Sequence, residues 1–493
     1  MNFFHRSLKK LKWKHKIALA VAGAILMLMF VVAVALGPFR VFFWDIPGML
    51  GFLGPRNYLV LLQNNNELRP AGGFISGYGV IKMFFGFPRI EFHDSYDIAT
   101  DSYVAPPYPF EKLIGDDDYY RGWQFRDANF SPDFPTSAEQ AIAFYKMQFP
   151  KENFSAVVAL DFSVIEDLIN VLGGIHVAGE KFTKENFFLK VQRASKNIDL
   201  HNEEALKHRK SILSDLASGL VWSYVQNPWK ARSAIRVVAS KLDEKHIQVF
   251  AKSNSLKEKI AMRQWDGAFE HDVHSDFLHV NTANIGGRKA DRYVQKQFEY
   301  TVVFPRVGPA KAKMIATYTH QGDYNLQSDR YQAFVRAYVP LGSKLKRAYG
   351  DVTDDVQVIE DLGLTVFGNT IVMMPGERRA IIYEYELPVT VVPEDYALEL
   401  IKQAGTDQDN YVVTVRMPND HTMTAVGSDK KFKITENVAV WKGALDTDSE
   451  FALQLQPDVS SPLIQWQEFR NTGTIVIRFN EQIDSASVAI LSN

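Results

Sequence analysis

The chain has 493 residues, 46% of them hydrophobic and 23% charged, with a formal net charge of −2 and no cysteine. This composition excludes a disordered or collagenous chain and leaves length for two or three domains with a sizeable core. The absence of cysteine excludes disulfides, thiolate metal sites and cysteine nucleophiles together.

Residues 1–16 carry Arg6, Lys9, Lys10, Lys12, Lys14 and Lys16 and no acid. The rest of the chain sets 49 basic against 57 acidic residues, so nothing global points to a nucleic-acid partner. Next comes "IALAVAGAILMLMFVVAVAL" (17–36), an uncharged run whose helical length matches the ~30 Å hydrocarbon core of a bilayer. A transmembrane helix over 17–36 is expected to act as a signal-anchor. By the positive-inside rule the 1–16 tail is then cytoplasmic and the large remainder extracellular. A cleavable signal peptide is the rival reading, since Ala33-Val34-Ala35 has the small-x-small form, but its apolar run would be unusually long. Residues 37–56 read as a membrane-proximal linker, where Phe39, Phe42, Phe43 and Trp44 suit an interfacial aromatic belt.

Residues 57–290 read as an α/β domain, a mixed sheet covered by helices. "NYLVLL" (57–62) is a short buried strand followed by the polar "QNNNELRPAGG", and "FISGYGVIKM" with "RIEFHD" forms a hairpin. The long loop 95–123 is a candidate binding loop. "QFRDANFSPDFPTSAEQ" (124–140) then runs into a helix, with Thr136 and Glu139 expected as a capping box. "SAVVALD" (155–161) is a buried strand, Ser163 with Glu166 a second capping box, and Gly173-Gly174 the helix stop before the strand "IHV". That strand–helix–strand unit predicts parallel pairing. Helices follow over 184–243 with a break near Asn227-Pro228, and "HIQVFA" and "DFLHVN" continue the alternation. Residues 291–493 run strand after strand ("FEYTVVF", "MIATYTH", "YQAFVRAYVP", "RAIIYEYELP", "YVVTVRMP", "TIVIRF"), a β-sandwich region of one or two subdomains. The fold class is thus α+β and multidomain.

Strong catalytic motifs are absent: no Walker loop, zinc helix or nucleophile elbow occurs. Ser343-x-x-Lys346 lacks the companions a penicillin-binding motif needs, and His271 with His274 reads as a polar loop. Two arginine-plus-acid stretches remain. In the first, Arg126 offers a fork for phosphate oxygens, while Asp127 and Asp133 are hard oxygen ligands of the type Mg²⁺ uses. Asn129 lies between them, and the following helix N-terminus favours anions. In the second, Asn64, Asn65, Glu67 and Arg69 sit at a strand end, where α/β folds bind ligands, and Gly72-Gly73 permit close approach. Asp161 ends the next strand and either faces the same cleft or starts a helix. The bland alternative for each stretch is internal ion pairing and turn formation.

The stretches "YLVLLQNNNELRPAGGFISGYGVI", "FRDANFSPDFPTSAEQAIAFY", "VVALDFSVIEDLINVLGG" and "HVNTANIGGRKADRYV" resemble a bacterial membrane-anchored family known only as a domain of unknown function, the one numbered four thousand and twelve. That family brings no known reaction. The chain also has a weaker likeness to the LytR–CpsA–Psr enzymes, which move glycopolymers from a polyprenyl-pyrophosphate carrier to peptidoglycan. "FSAVVALDFSVIEDLINVLGGIHV" and "FRDAN" carry the likeness, which implies that Arg126 and Asp127 match the Arg-Asp pair of those enzymes and Arg69 an earlier arginine, as catalytic residues. From residue chemistry Asp127 and Asp133 are the expected Mg²⁺ ligands and Asn64, Asn65, Glu67, Asn129 and Asp161 the expected substrate contacts. The chain departs from those enzymes at their later arginine-rich helix, where Arg209 stands nearly alone in "LKHRKSILSDLASGL". Two functions follow as expectations: a Mg²⁺-dependent phosphotransferase or pyrophosphate-lipid binder of the cell envelope, or a non-catalytic membrane-anchored surface protein with a glycan- or protein-binding β-rich region.

Overall fold

The computed structural model describes residues 37–98, 103–108, 122–195, 203–325, 328–352, 356–407, 409–418, 421–426, 430–435, 437–457, 464–470 and 474–479. The expected span 17–36 lies outside the described residues, as does much of the loop 95–123. Among the described residues no helix is long and apolar enough to cross a membrane.

The first unit is built on β1 (Arg56–Arg69), β2 (Gly72–Phe84) and β3 (Phe87–Asp94), then α1 (Phe134–Gln148), β4 (Ala156–Asp161) and α2 (Phe162–Leu172). A small hairpin of β5 (Ile175–Val177) and β6 (Glu180–Phe182) follows. Then come α3 (Lys184–Ser195), α4 (Glu203–Gln226), α5 (Ala231–Asp243), β7 (Ile247–Ala251) and α6 (Asn254–Ala261). The sheet order is β3-β2-β1-β4-β7. Its residues alternate between two covers. Val157 and Ala159 of β4 pack with Ala141, Ile142 and Phe144 of α1, whereas Ala156, Val158 and Leu160 pack with Leu242 of α5 and Val164 of α2. A strand buried on both faces needs that apolar continuity.

The expected parallel pairing is present but belongs to β1 and β4. The strand after α2 does not return to the sheet; β5 instead pairs antiparallel with β6 in a separate hairpin. Gly173, at φ +79°, caps α2 as expected. The two capping boxes are corrected. Asp133 caps α1 by accepting the Thr136 N–H, and Asp161 caps α2 by accepting the Ser163 N–H.

The second unit is a β-sandwich. Its strands are β8 (Asp276–Asn284), β9 (Val294–Val303), β10 (Lys311–His320), β11 (Tyr331–Val339), β12 (Lys344–Gly350), β13 (Gln357–Asp361), β14 (Leu364–Met373) and β15 (Arg378–Glu386). Six more complete it: β16 (Asp395–Ile401), β17 (Asp409–Arg416), β18 (His421–Ala425), β19 (Lys433–Thr435), β20 (Val438–Leu445) and β21 (Ser449–Pro457). They form two seven-stranded sheets, β12-β15-β10-β9-β17-β20-β19 and β13-β14-β11-β8-β16-β21-β18. One core cluster joins Leu278, Val335 and Phe367 of one sheet to Tyr300, Met314 and Tyr383 of the other. A last hairpin pairs β22 (Ile464–Arg470) with β23 (Thr474–Phe479).

β8 is a strand the sequence placed with the α/β part and the structure places in the sandwich. All nine of its residues are buried, because both units cover it. Leu278 and Val280 face the sandwich core, while Asn281 donates to the Pro70 carbonyl (3.1 Å) and Ala283 packs on Phe130. The joint between the units is therefore itself a core.

Candidate functional site

The two arginine-bearing stretches do meet. The polar run after "NYLVLL" is not a loop: β1 continues through it to Arg69, with register shifts against β2 at Leu62/Gln63 and Asn64/Leu68. This bulged end delivers Arg69 to the "FRDAN" turn. There Arg69 Nε and Nη2 each donate to Asp127 Oδ1 (3.2 Å), Nη2 also to Glu67 Oε1 (3.1 Å), and Nη1 to the Asn284 carbonyl (2.6 Å). Arg69 is 3% exposed and Asp127 1%. Arg126 lies 3.7 Å from Asp127 Oδ2 and stacks over the Tyr96 ring at 4.8 Å.

The three residues expected at a phosphate thus lie together inside the joint, with Arg69 hydrogen-bonded to Asp127, Glu67 and a carbonyl of β8. Glu67 belongs to the same cluster; burial pushes its carboxyl up, against the pull of Arg69. Asn129 donates to the Gly73 carbonyl (2.7 Å), and Asn64 accepts from the Asn66 backbone N–H (3.2 Å) and side-chain amide (3.0 Å). Gly72 and Gly73 bring backbones together rather than a ligand. A Cβ on Gly405 would fall 2.9 Å from Gly72 Cα, and one on Gly73 would fall 2.3 Å from the Asn64 carbonyl carbon.

The two carboxylates expected to hold Mg²⁺ are each engaged by the protein. Asp133 Oδ2 accepts from Thr136 N (2.9 Å) and Oγ1 (2.5 Å), and Oδ1 from Phe269 N (3.0 Å). Asp127 is held by guanidinium groups. Among the described residues no group of three or more His, Asp or Glu side chains is arranged to hold a metal ion.

A different place along the joint has the opposite character. A cleft of about 380 Å³ is lined by Asn65 from β1, Phe162, Ser163 and Glu166 from the start of α2, Arg292, Gln295 and Lys296 at β9, and Thr406, Asp407 and Asp409 at β17. Its volume lies within the range of small-ligand sites. Lys296 is 6% exposed, yet it has no hydrogen bond or ion pair among the described residues, and neither has Glu166. Asp409 lacks such contacts too, and its carboxyl is raised by burial, with Lys296 pulling the other way. Burial likewise raises Glu166 to about 7, with Arg292 and Lys184 opposing.

The cleft is preformed because the joint around it is stapled. Lys402, fully buried and lowered to about 8, donates to the carbonyls of Glu244 (2.9 Å), Gln403 (3.3 Å) and Thr406. Lys245 pairs with Asp448. Asp161, named from the sequence, sits beneath the cleft: Oδ1 accepts from Ser163 N (3.0 Å) and Oγ (2.6 Å), while Oδ2 lies 2.5 Å from His246 Nδ1. His246 Nε2 is 3.6 Å from Asp407 Oδ1. Asn65 donates to the Gly405 carbonyl (3.2 Å) while lining the cleft. Of the named residues, Asn65 and Asp161 therefore belong to this second place. Glu166, Arg292, Lys296, Asp407 and Asp409 were missed. Only Glu166 carried a sequence signal, as a carboxylate three residues into a helix, and there it read as a cap.

Fold and joint define a two-unit protein, α/β followed by a β-sandwich, fused through a shared buried strand. Residues 53–194, within the α/β unit, match the family described as "Protein of unknown function (DUF4012)", so this segment carries that family's domain. No curated protein matches the chain. Among solved structures the chain is similar to a protein of Listeria innocua (11% identity, 43% of this chain and 77% of that one, TM-score 0.25). A protein of Streptococcus agalactiae (9%, 43% and 74%, 0.27) and the M1 zinc metallopeptidase of Deinococcus radiodurans (11%, 41% and 51%, 0.21) are further examples. The chain spans about half of that metallopeptidase. Likenesses at these scores carry nothing about activity.

Proposed function

We propose that this chain is a non-catalytic binding protein of the cell envelope, tethered by residues 17–36 with its two units outside the membrane. In this reading the cleft between the units holds a small zwitterionic ligand, an amino acid or short peptide with free termini. One observation carries it. The arginines that would grip a pyrophosphate are neutralised internally, whereas Lys296 and Glu166 are unpaired beside a preformed cavity. Lys296 makes no close ion pair among the described residues, and a ligand carboxylate at Lys296 and Arg292 would supply one. The acids Glu166, Asp407 and Asp409 face a ligand ammonium from the other lining elements. A mixed set of charges favours a zwitterion over a polyanion such as a pyrophosphate, which these acids and Asp291, a fourth in the lining, would repel.

Phosphoryl transfer from a polyprenyl-pyrophosphate glycan to peptidoglycan would require Arg69 to give up its contacts with Glu67, Asp127 and the Asn284 carbonyl, or Arg126 to turn from Asp127 and the Tyr96 ring. Calorimetric titration of the full chain in detergent tests the reading. Alanyl-alanine should bind without Mg²⁺, and Lys296→Met should weaken it at least ~10-fold, the loss of about 1.4 kcal/mol. Mg²⁺-dependent binding or turnover of a prenyl pyrophosphate, abolished by Arg126→Ala, would contradict it.

A further inference from the structure

The β2–β3 hairpin ends in "FFGF" (84–87), and its tip is unlike an ordinary soluble turn. Phe85 adopts φ +46° and Gly86 φ +81°. The turn thus puts a large aromatic residue where Asn or Asp would be favoured. Phe84, Phe85, Phe87 and Ile90 are all exposed, Phe87 at 79%. A backbone clamp fixes this tip to the segment following residue 37: Phe85 N–H donates to the Gly51 carbonyl (3.3 Å) and Gly86 N–H to that of Leu50 (2.8 Å). Gly51, at φ +74°, allows the approach, since a Cβ there would sit 2.6 Å from the Met83 carbonyl oxygen. Phe52 meets Phe85 edge-on at 6.0 Å, and Trp44 (78%), Met49 and Leu53 (76%) are exposed in the same segment.

Phe52, Phe84 and Phe85 form one apolar surface contributed by two segments, and Trp44, Met49 and Leu53 extend the apolar exposure along the first of them. It is larger in aromatic content than scattered surface hydrophobics require. What covers it follows from the chain. The described residues begin at Gly37, and the uncharged run 17–36 immediately precedes them. Phe39 and Phe42 pin the first turn against Trp265 at 5.1 and 6.0 Å, and Lys259 pairs with Asp45. The segment is therefore fixed to the α/β unit and leads straight into Trp44. A unit tied at Gly37 to a bilayer would present this surface to the lipid headgroups, where Trp and Phe partition favourably.

We infer that the hairpin tip 84–87 and the exposed side chains of 44–53 form a second membrane contact, a docking face that seats the α/β unit on the bilayer. This rests on the tether reading but not on the ligand cleft. Two contacts fix an orientation that one flexible tether leaves open.

The absence of cysteine makes the test clean. Single Phe85→Cys, Val307→Cys and Ala24→Cys variants of the full chain, each carrying a polarity-sensitive fluorophore, would be placed in phosphatidylcholine/phosphatidylglycerol nanodiscs. The Phe85 label should be blue-shifted and quenched by bromines on the upper acyl chain, as for groups lying about 5–10 Å into the headgroup/acyl boundary. The Val307 label, on the exposed β9–β10 turn of the sandwich, should be unaffected and controls for dye partitioning. Equal polarity at Phe85 and Val307 overturns the docking face whatever Ala24 reports. A water-exposed Ala24 label defeats the tether separately. Serine at Phe84, Phe85 and Phe87 together should preserve folding and free a label at Leu53→Cys from lipid; a Leu53 label still buried in that variant also overturns the inference.

Discussion

Two places where the α/β unit meets the sandwich differ in how they treat charge. At the Arg69–Asp127 seam the Arg69 guanidinium finds a carboxylate or carbonyl for each of its nitrogens, and Arg69, Glu67 and Asp127 are almost wholly buried. At the cleft, Lys296 and Glu166 stand beside open volume with no such contact. Both places hold arginine or lysine near acids, so residue type does not separate them. Pairing and access do: paired and sealed charges hold units together, while unpaired charges beside a cavity await a ligand.

Breaking the seam should have the largest effect. Arg69→Ala leaves Glu67 buried without its closest cation and Asp127 with only the more distant Arg126, and removing one partner of a buried pair costs about 3–5 kcal/mol. Denaturant melts should show that loss, with the α/β unit and sandwich no longer unfolding together. The same melts on Lys296→Met should show a much smaller loss, because Lys296 makes no close ion pair among the described residues and only offsets the burial of Asp409. Equal destabilisation by both variants would erase the distinction between the two places.

Ligand affinity should also depend on pH. Glu166 titrates near 7, so its carboxylate is available to a ligand ammonium mainly above that value. Affinity for alanyl-alanine should fall roughly tenfold per unit as pH drops below the Glu166 value, and Glu166→Gln should flatten that dependence.

A third titration lies inside the sandwich and sharpens the contrast. Asp276 is buried, raised to about 7, and accepts from the Tyr300 and Tyr396 hydroxyls. Its folded value exceeds its unfolded one, so its contribution to stability is complete below about 4 and is lost as pH rises through about 7. The melting temperature should decline from about pH 4 to 7 in the wild type, level off above that, and stay flatter in Asp276→Asn. The smallest effect is expected at the hairpin tip. Phe85→Gly relieves a left-handed side chain and should stabilise the fold by about 1 kcal/mol, while loosening the contact with lipid.

Much of the architecture was legible from period and punctuation. The sandwich strands alternate visibly, and Gly173 marks the end of α2. What hid the place of β8 in the sandwich was its double burial: "DFLHVNTAN" shows no two-residue alternation because both of its faces are covered. "QNNNELR" read as a loop because polar residues inside a strand normally signal its end, whereas here a second domain supplies their partners. Arg69 and Asp127 were correctly drawn together, but their mutual neutralisation is a three-dimensional fact. The cleft was illegible because Glu166, Lys296 and Asp409 come from three distant segments, each unremarkable by itself.

The most direct test is calorimetric titration of alanyl-alanine into full-length wild type, Arg126→Ala and Lys296→Met, with and without Mg²⁺. The account predicts wild-type affinity for Arg126→Ala, at least ~10-fold weaker binding for Lys296→Met, and indifference to Mg²⁺. Unchanged binding by Lys296→Met, or loss confined to Arg126→Ala, would contradict it.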